Sequence, residues 1–588
     1  MKKIIFIALV VLFSTSCSDL FEPTKENIRD VDEMVDDPSF AHGVLLTAYT
    51  KLPYASTSNS DVATDDAVSN SNSNGYLKMA GGSWSSRSNP TSNWNNCYHS
   101  IQYVNLFLNY VDKTRWTEDE NAHIMFGDRL KGEALALRAL QYYYLLMAHA
   151  GKGTSGAMLG VPILDGYQDS EADFTTPRNT FDQCIAYIYA DLEEAIELLA
   201  TDYKVHVDAE VPQKYIDMGV DAGAYDRVFG SSTSGRISGR IARAIMSQVA
   251  LFAASPAYNG GSYNQTHCER AAKYASELID DNGGVDGLYA QGCEWYQNVG
   301  GHVDNKGSEL YRKEILWRGN FSENNNLEAE NFPPTLFGKG RVNPTQNLVD
   351  AFPMLNGYPI TDAANSGYDP ANPYANRDPR LAKFIVVNGS TMGVNNSTIN
   401  TQSDGSDNNA LNKYADRSTR TGYYLRKLLR NDVNPNSASP LKKNHFEMRI
   451  RYTEIYLIYA EAANELSGGT YASAAFTPFD VIQKIRSRAG IDAADAYLNA
   501  NNNQAALRSV IRNERRLELC FENFRFWDMR RWELDLTDTA QGMKISGAVP
   551  SYTLIDVEDR KYDNSYMFYG PIPYSEVQKF GYEQNAGW

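Results

Sequence analysis

Hydrophobic runs long enough to cross a membrane are missing from this sequence. The longest run near the start, Ile4 to Phe13, has only ten residues, whereas a transmembrane helix needs about twenty. The sequence therefore predicts no transmembrane helix.

Cysteine and histidine are also scarce. Six cysteines are present, and the five that follow Cys17 are widely scattered, without a CxxC motif or a Cys/His cluster. An odd, scattered set argues against both a disulfide framework and a zinc site. The eight histidines stand singly, so the sequence predicts no metal site.

Motifs for catalysis and phosphate binding are absent as well. The sequence contains no glycine-rich phosphate loop, no HExxH and no G-x-S-x-G. The net charge of −17 argues against a nucleic-acid partner, because phosphate binding needs a basic surface. The sequence predicts no cofactor.

Tyrosine, by contrast, is abundant. The chain has 38 tyrosines and 8 tryptophans, together with many Asn and Ser residues. Aromatic side chains present flat apolar faces, and this composition suits a surface that holds polar ligands, although tyrosine also fills cores.

The first 16 residues are typical of a signal peptide. Two lysines precede the apolar run, and small residues lead to Cys17. The segment STSC is similar to a lipobox, in which the cysteine is acylated, so we predict lipidation at Cys17 and a tether over residues 17–30. Asp19 and Glu22 resemble the acidic stretch that sends such lipoproteins to the outer face of the outer membrane. The alternative is a plain secretory peptide with a chance cysteine.

Patterns typical of helices alternate along most of the chain. They occupy residues 32–52, 98–111, 119–150, 180–199, 236–255, 267–281, 447–466 and 475–489. Thr180 is the predicted N-cap of its helix, and Trp94 and Trp317 are predicted to lie in the core. The predicted fold class is mainly α, with paired helices arranged as helical hairpins.

Two segments differ from this helical pattern. Residues 56–96 form a long polar loop bearing aromatic residues, which is typical of a ligand loop. Residues 282–445 are rich in Gly, Asn, Pro and Asp, with short strand-like runs at 314–317 and 384–387. We predict a loop-rich insertion there, between an N-terminal helical scaffold over 31–281 and C-terminal helical pairs with a closing segment over 446–588.

The run from Gln504 to Trp532 carries two carboxylates that need partners. Glu514 lies on the apolar stripe of a helix, and Glu518 lies one turn further on. A carboxylate turned inward is costly without a cation, so arginines are expected to converge there. The local candidates are Arg515, Arg516, Arg525, Arg530 and Arg531.

A catalytic pair is the alternative interpretation of these two carboxylates. Residues at i and i+4 have Cβ atoms about 5–6 Å apart, which is compatible with a retaining glycosidase. However, a general acid needs a raised pKa, and guanidinium neighbours lower it.

The same run resembles the C-terminal signature of the RagB/SusD family, which comprises glycan-binding lipoproteins of Gram-negative nutrient-uptake systems. The matching residues are Glu514, Arg515, Glu518, Leu519, Phe521, Glu522, Arg525, Asp528, Arg531 and Trp532. The segment GEALALRALQYYYLL, the GVP at 160–162 and the terminal QNAGW are similar to further family motifs. The resemblance implies a tetratricopeptide-like scaffold and, as partner, a SusC-like TonB-dependent outer-membrane transporter.

Aromatic residues on polar loops are the candidates for ligand binding. A sugar ring lies well on an indole or phenol ring, while its hydroxyls need amide, carboxylate or guanidinium partners at the edge. We predict three platforms and four edge partners: Trp84, Trp295, Tyr296, Asp65, Asp66, Asn74 and Arg87. Each loop tryptophan could instead fill a small core within its own loop. The Asp/Asn-rich loop 362–378 could offer oxygen ligands to Ca²⁺, but it lacks EF-hand spacing.

Together these features predict a surface-exposed lipoprotein of the outer membrane that binds oligosaccharide or polysaccharide. It would deliver the glycan to its transporter without breaking a bond. Two alternatives remain: a lipoprotein of the same family that serves peptide or protein uptake, and a glycoside hydrolase that uses Glu514 and Glu518 or acids of the 56–96 loop.

Overall fold

The computed structural model describes residues 31–54, 60–168 and 176–588. The predicted signal peptide, the tether and Cys17 lie outside the described residues.

Helices dominate the described part of the chain. The longer ones are α1 (Pro38–Tyr49), α2 (Trp94–Tyr110), α3 (Glu120–His149), α4 (Phe181–Leu198), α5 (Ala222–Phe229), α6 (Gly239–Ala254), α7 (Gln265–Asp281), α8 (Tyr452–Glu465), α9 (Pro478–Ala489), α10 (Gln504–Leu519), α11 (Arg525–Arg531) and α12 (Tyr574–Phe580). Short helices lie at Gly75–Lys78, Gln213–Ile216, Leu310–Lys313, Asn326–Asn331, Gln346–Ala351, Pro379–Phe384 and Ala496–Ala500.

The start of α4 shows how the sequence sets a helix boundary. The Thr180 hydroxyl accepts a hydrogen bond from the Gln183 backbone N–H at 3.2 Å, and the Gln183 side chain accepts one from the Thr180 N–H at 2.9 Å. This reciprocal capping box satisfies two N–H groups that the helix itself leaves unpaired. The predicted N-cap is confirmed.

Neighbouring helices pack in a continuous series. In order, α1 packs on α2, α2 on α3, α3 on α4, α4 on α6, α6 on α7, α7 on α8, and α8 on both α9 and α10. One large apolar core runs through the series and includes Trp94 and Trp317, which are 6% and 2% exposed. The predicted scaffold of paired helices and the predicted burial of both tryptophans are confirmed.

Small antiparallel sheets are scattered among the helices. The strands are β1 (Ala67–Ser69), β2 (Gly151–Lys152), β3 (Met158–Leu159), β4 (Ile315–Arg318), β5 (Ser322–Asn324), β6 (Val342–Pro344), β7 (Ile385–Val386), β8 (Thr391–Met392), β9 (Ser397–Thr398), β10 (Tyr424–Leu425), β11 (Lys443–His445), β12 (Met448–Arg451), β13 (Ala540–Ser546) and β14 (Ser551–Glu558). They pair as β1–β6, β2–β3, β4–β12, β5–β11, β7–β10, β8–β9 and β13–β14. The strands predicted near 314–317 and 384–387 are confirmed, whereas the predicted helix at 447–466 begins with β12.

A second apolar core lies where residues 282–445 meet the C-terminal helices. Phe352, Phe384 and Tyr423 are fully buried there, together with Leu517 and Phe521. Residues 282–445 are therefore packed onto α10 and the turn after it.

The chain turns sharply between α10 and α11. Phe521 and Asn523 adopt left-handed backbone conformations, with φ of 63° and 67°. Residues other than glycine rarely adopt such conformations. The Asn523 side chain accepts hydrogen bonds from the backbone N–H and the hydroxyl of Ser60 at 3.1 and 3.0 Å. The turn is thereby fixed to the segment that follows α1.

Glu514 and Glu518 lie in a buried ion-pair cluster, as expected, but their arginines are not the predicted local ones. Both carboxylates are fully buried. Arg380 contacts both, at 2.5 Å from Glu514 and 3.1 Å from Glu518, and Arg488 lies 2.7 Å from Glu518. Arg451 lies 3.4 Å from Glu518, and Arg486 lies 3.5 Å from Glu514.

The local arginines of the 504–532 run have other partners. Arg515 binds Asp528, Arg516 binds Asp65 and Asp66, Arg525 binds Asp65, Arg531 binds Asp528 and Glu461, and Arg530 donates to the Phe568 carbonyl. Periodicity could show that Glu514 and Glu518 face inward, but not which distant segments face them.

The cluster also decides against general-acid chemistry at Glu518. Burial alone would raise its pKa, but the guanidinium groups of Arg488, Arg451 and Arg380 together hold the pKa of Glu518 well below its usual range. A carboxyl in this environment stays ionised and sealed from solvent, so it serves structure.

Replacing Arg380 by Met should destabilise the fold. The change leaves Asp378, Glu514 and Glu518 buried with too few cations, and breaking a buried ion pair from one side costs about 3–5 kcal/mol. Denaturant unfolding followed by circular dichroism should show this loss in the free energy of unfolding. The matched control is Arg417→Met, because Arg417 pairs with Asp416 on the surface, and exposed pairs contribute little. Equal stability of the two variants would contradict the role of the cluster.

Candidate functional site

A cavity of about 880 Å³ opens between the helical scaffold and residues 282–445. We call it the tyrosine-lined cavity. Its aromatic lining consists of Tyr54, Tyr76, Tyr143, Tyr144, Phe252, Trp295, Tyr296, Phe446, Phe521, Phe524 and Trp527. Amide, hydroxyl and charged side chains alternate with these rings, including Gln248, Asn320, Ser322, Asn324, Asn444, Glu447, Arg449, Glu454, Arg515 and Asp528.

Helix α3 supplies two of the tyrosines. Residues 133–142 of this helix are buried on all sides, but Tyr143 and Tyr144 are only half-buried because they face the cavity. Their rings meet edge to face with centroids 5.7 Å apart, and Tyr144 meets Tyr54 in the same way at 5.6 Å. This edge-to-face packing holds the three rings in fixed directions.

Trp317 supports the wall behind Tyr54. The two rings are perpendicular with centroids 5.5 Å apart, and the Arg449 guanidinium lies 4.8 Å from the Trp317 ring centroid. Arg449 also pairs with Glu447 at 3.2 Å. The core position of Trp317 thus places a tyrosine and a charged pair at the cavity surface.

Glu454 is the least neutralised carboxyl group in the cavity wall. It lies in the first turn of α8, is 2% exposed, and accepts one hydrogen bond, from the Gln248 amide at 2.7 Å. Burial raises the pKa of Glu454 to about 7 against the pull of Arg515. Near neutral pH this carboxyl can therefore donate or accept a proton in a hydrogen bond.

Other carboxylates of the cavity are held by guanidinium groups. Asp528 accepts from Arg515 and Arg531, each at 2.8 Å. Glu522 receives both sides of Arg451 at 2.9 Å. In these pairs each carboxylate is neutralised by a guanidinium group of the wall between α10 and α11.

Several polar atoms of the cavity have no partner within the described protein. The buried Tyr54 hydroxyl and the buried Nη1 of Arg515 make no hydrogen bond. Buried polar groups are nearly always hydrogen-bonded. Both atoms are closed to solvent, so a ligand or a water could reach them only after the wall rearranges.

Trp84 is not the exposed platform that the sequence predicts. It is 5% exposed, and its ring packs against Phe526, Tyr562 and Trp588 with centroids 5.8, 6.0 and 4.8 Å away. Its Nε1 donates to the Asn89 side chain at 3.0 Å. The ring lies in a small core that joins the 56–96 loop to the C-terminal segment, and it does not line the cavity.

Trp295 and Tyr296 do line the cavity, but as wall residues and not as exposed platforms. They are 6% and 4% exposed and meet edge to face at 5.7 Å. Trp295 also packs on Phe446 at 5.5 Å, and Phe446 is more exposed. The ring that the cavity presents most openly on this side is therefore Phe446.

The four predicted edge partners lie outside the cavity lining. Asp65 and Asp66 are buried and bind Arg516, each at 2.7–2.8 Å. Asn74 caps the short helix Gly75–Lys78, and Arg87 stacks over the Tyr574 ring at 3.6 Å. Their polarity in the sequence reflects ion pairing, capping and surface stacking.

The loop 362–378 uses its carboxylates locally. Asp362 accepts from the backbone of Ala364 and Asn365, and Asp369 accepts from Ala371 and Asn372. Among the described residues, no group of three or more His, Cys, Asp or Glu side chains is arranged to hold a metal ion.

Tyr143, Tyr144, Glu454 and Arg515 are among the cavity residues that sequence reasoning missed, as are Trp527, Phe446 and Arg449. The signal that could have found the tyrosines is three consecutive tyrosines in an otherwise apolar helix, since adjacent helical positions cannot all point to one core. Glu454 and Arg515 gave no such signal.

Comparison with known proteins gives the family. A model of the SusD family matches residues 312–588, and a model described as starch-binding and associating with the outer membrane matches residues 22–214. The chain belongs to the SusD family. Within the described residues, no helix has both the length and the apolar character that crossing a membrane requires.

Curated relatives match only parts of this SusD-family chain. One SusD-like protein of Formosa agariphila is 35% identical over 88 residues, and another is 27% identical over 295 residues. These matches cover 14% and 46% of this chain, and 16% and 47% of the relatives. The chain thus spans less than half the length of either relative.

Solved structures match nearly the whole fold. A SusD-like protein from Bacteroides fragilis has a TM-score of 0.70 at 22% identity, covering 95% of this chain and 99% of its own. A SusD-like carbohydrate-binding protein from the same organism has a TM-score of 0.65 at 19% identity, covering 93% and 99%. The surface glycan-binding protein A from Bacteroides fluxus has a TM-score of 0.57 at 17% identity, covering 94% and 100%. At these identities the likeness shows the shared fold.

Replacing Glu454 by Gln should change the pH dependence of stability. The Glu454 carboxyl has a pKa of about 7 in the folded protein and an ordinary value of 4.5, so the unfolded chain releases this proton at lower pH than the folded protein does. The free energy of unfolding should therefore fall as pH rises from about 4.5 to about 7, by up to roughly 3 kcal/mol, and then level off. The free energy of unfolding of the Glu454→Gln variant should fall less over this pH range, because the glutamine side chain does not titrate.

Urea unfolding of both proteins at pH 5 and pH 8 measures the effect. Asp61 also has a pKa raised to about 7 by burial, but it is present in both proteins, so the difference between them isolates Glu454. An identical loss of stability from pH 5 to pH 8 in both would contradict the assignment.

Proposed function

We propose that this protein binds oligosaccharide or polysaccharide in the tyrosine-lined cavity, breaks no bond in it, and delivers it to a SusC-like TonB-dependent transporter. The observation that carries the proposal is a cavity of about 880 Å³ with aromatic rings and polar side chains in one wall. Ligand cavities are commonly about 300–1,000 Å³. The family description as starch-binding supports the same ligand class.

The chemistry of the wall suits a sugar chain. Half-buried rings such as Trp527, Phe446 and Tyr144 can receive the C–H faces of sugar rings, while Asn320, Asn324 and Arg449 can meet the hydroxyl edges. Trp295 contributes by packing against Phe446, and Tyr296 by packing against Trp295.

The lack of a free carboxylate pair supports a binding role over hydrolysis. Most glycoside hydrolases use two carboxyl groups that flank the scissile bond. Glu514 and Glu518 are fully buried in ion pairs, and Asp528 and Glu522 are held by arginines. Glu447 is held by Arg449, and Glu454 is buried beside Gln248, so among the described residues the cavity wall offers no pair of free carboxylates.

The proposed location is the outer face of the outer membrane, with lipid at Cys17 as the anchor. The family description includes association with the outer membrane, and the lipobox-like segment before Cys17 supplies the attachment point. A lipid-anchored protein facing outward would meet its glycan before the transporter does.

Replacing Trp527 by Ala should weaken glycan binding roughly tenfold or more. The change removes a ring from the cavity wall, and losing one aromatic contact together with the area it buries costs on the order of 1.5 kcal/mol. Affinity electrophoresis against a panel of polysaccharides identifies a bound glycan, and isothermal titration calorimetry then measures the loss.

The matched control is Trp116→Ala. Trp116 is also half-buried but lies outside the cavity lining, so its loss should leave binding unchanged. Unchanged binding in Trp527→Ala would exclude this wall as the binding surface. If the protein bound peptides but no glycan, the result would favour a role in peptide uptake.

Replacing Cys17 by Ser should release the protein from the membrane. Without the thiol no acyl chain can be attached, and the remaining protein has no predicted membrane span. Fractionation of cells after labelling with a radioactive fatty acid should show label and membrane association for the unsubstituted protein only. Cys97→Ser, which changes a buried thiol, is the control, and persistent membrane association of Cys17→Ser would contradict the anchor.

A further inference from the structure

Strand β14 (Ser551–Glu558) leaves one side of its sheet open. Within the described residues it pairs with β13 alone, so the two strands form a two-stranded hairpin. The register is regular from the pair Ser546 and Ser551 to the pair Gln541 and Asp556. We call the side of β14 that faces away from β13 the free edge.

Contacts of β13 show which backbone groups lie on the free edge. The backbone of β13 turns away from β14 at Met543, whose N–H donates to a loop carbonyl at 2.8 Å, and at Ile545, whose carbonyl accepts from a loop N–H at 2.8 Å. Residues that face each other in an antiparallel pair turn their backbone groups either both toward or both away from each other. Met543 and Ile545 face Leu554 and Tyr552, so the N–H and C=O groups of Leu554 and Tyr552 lie on the free edge.

The free edge is unpaired and open to solvent. By the same alternation it includes the backbone of Asp556, and no protein group of the described residues hydrogen-bonds the outward N–H or C=O groups of these three residues. Leu554 is 51% exposed. Native proteins usually protect such an edge with a lysine, a proline or a covering segment, but β14 contains neither lysine nor proline. The edge is therefore available for pairing with another strand.

Acidic side chains lie along the free edge and at both of its ends. Asp556 lies on it, Asp559 follows β14, and Asp404 accepts a hydrogen bond from the Gly547 N–H in the hairpin turn at 2.9 Å. Each of the three aspartates accepts a hydrogen bond from a neutral group, and none forms an ion pair with another described residue. They are free to pair with cations of a partner.

Cations beside the free edge are paired or point away from it. Arg420 and Arg560 both bind Glu558, at 2.9 and 2.5 Å. Lys544 belongs to β13, across the strand from the free edge, and Lys561 lies past the end of β14. The unpaired charge along the free edge is therefore negative.

A second copy of the chain fits this edge poorly. Both copies would carry a net charge of −17, and like net charges oppose association. Stable interfaces between two proteins bury about 1,200 Å² or more, whereas this edge is one strand of eight residues. A peptide segment needs only such a strand, because strand addition gains its affinity from main-chain hydrogen bonds and its specificity from alternate side chains.

We propose that β14 binds an extended, positively charged segment of a partner protein, which adds to the sheet as a third, antiparallel strand. The segment exchanges backbone hydrogen bonds with Tyr552, Leu554 and Asp556, and it places an apolar side chain beside Leu554 and a lysine or arginine beside Asp556. This surface lies outside the tyrosine-lined cavity, so the inference does not depend on glycan binding.

The first test uses a synthetic peptide, KKTVTVTK, labelled with fluorescein, whose binding is measured by fluorescence anisotropy. In the antiparallel register its second lysine lies opposite Asp556, and its two valines lie opposite Leu554 and Tyr552. N-methyl groups on both valine amides remove two donors to β14, so binding should weaken roughly tenfold or more. The matched control carries N-methyl groups on two threonine amides, which point away from β14, and should bind as the unmodified peptide does.

The second test changes the protein. Leu554→Pro removes one N–H of the free edge without breaking a bond to β13, a position where a strand tolerates proline, and should weaken binding of KKTVTVTK. Asp556→Lys should weaken binding of KKTVTVTK and strengthen binding of EETVTVTE, in which glutamates replace the lysines. Circular dichroism checks that both variants are folded. Trp527→Ala, which changes the cavity wall, is the control and should bind KKTVTVTK as the unsubstituted protein does.

Three results would overturn the inference. The first is that KKTVTVTK does not bind, or that its valine-methylated and threonine-methylated forms bind equally. The second is that binding persists in Leu554→Pro and Asp556→Lys but is lost in Trp527→Ala, which would place the peptide in the cavity. The third is that the unsubstituted protein dimerises in analytical ultracentrifugation and Leu554→Pro does not, which would assign the free edge to a second copy of the chain.

Discussion

The burial of two carboxylates on α10 is the constraint on which the rest of this structure depends. Glu514 and Glu518 are sealed from solvent, and their charges are met by Arg380 from residues 282–445 and by Arg486 and Arg488 from α9. Because a buried charge without a partner is very costly, these segments can pack only in the arrangement that brings the arginines to α10. Charge pairing thus specifies how a loop-rich insertion, poor in regular structure, docks on a helical scaffold.

The same helix links this docking to the cavity. One face of α10 carries the buried carboxylates, while Arg515 on another face reaches Asp528 of α11 and the cavity wall. The left-handed turn at Phe521 and Asn523 then directs α11 back along the wall, which brings Trp527 to the cavity. Stability and the candidate binding surface therefore share one segment, the run that also carries the strongest family signature.

Local sequence patterns predicted the helices, the cap at Thr180, the inward direction of Glu514 and the core position of Trp317, because each depends on neighbours within a few residues. The candidate site was predicted less well. Trp84 was expected on the surface, but its loop folds back onto Phe526 and Trp588, which lie more than four hundred residues further along the chain. Asp65 and Asp66 were predicted to contact a ligand, but both bind Arg516. Contacts between distant segments decide which polar residues remain free, and periodicity does not contain that information.

The wall of the cavity gathers side chains from residue 50 to residue 531, so a molecule seated there would contact both the helical scaffold and residues 282–445. Separating those parts would require its release. A ligand that binds only the folded state raises the melting temperature in proportion to the logarithm of its concentration, so heat resistance alone can reveal the natural ligand in a mixture, without any assay of transport.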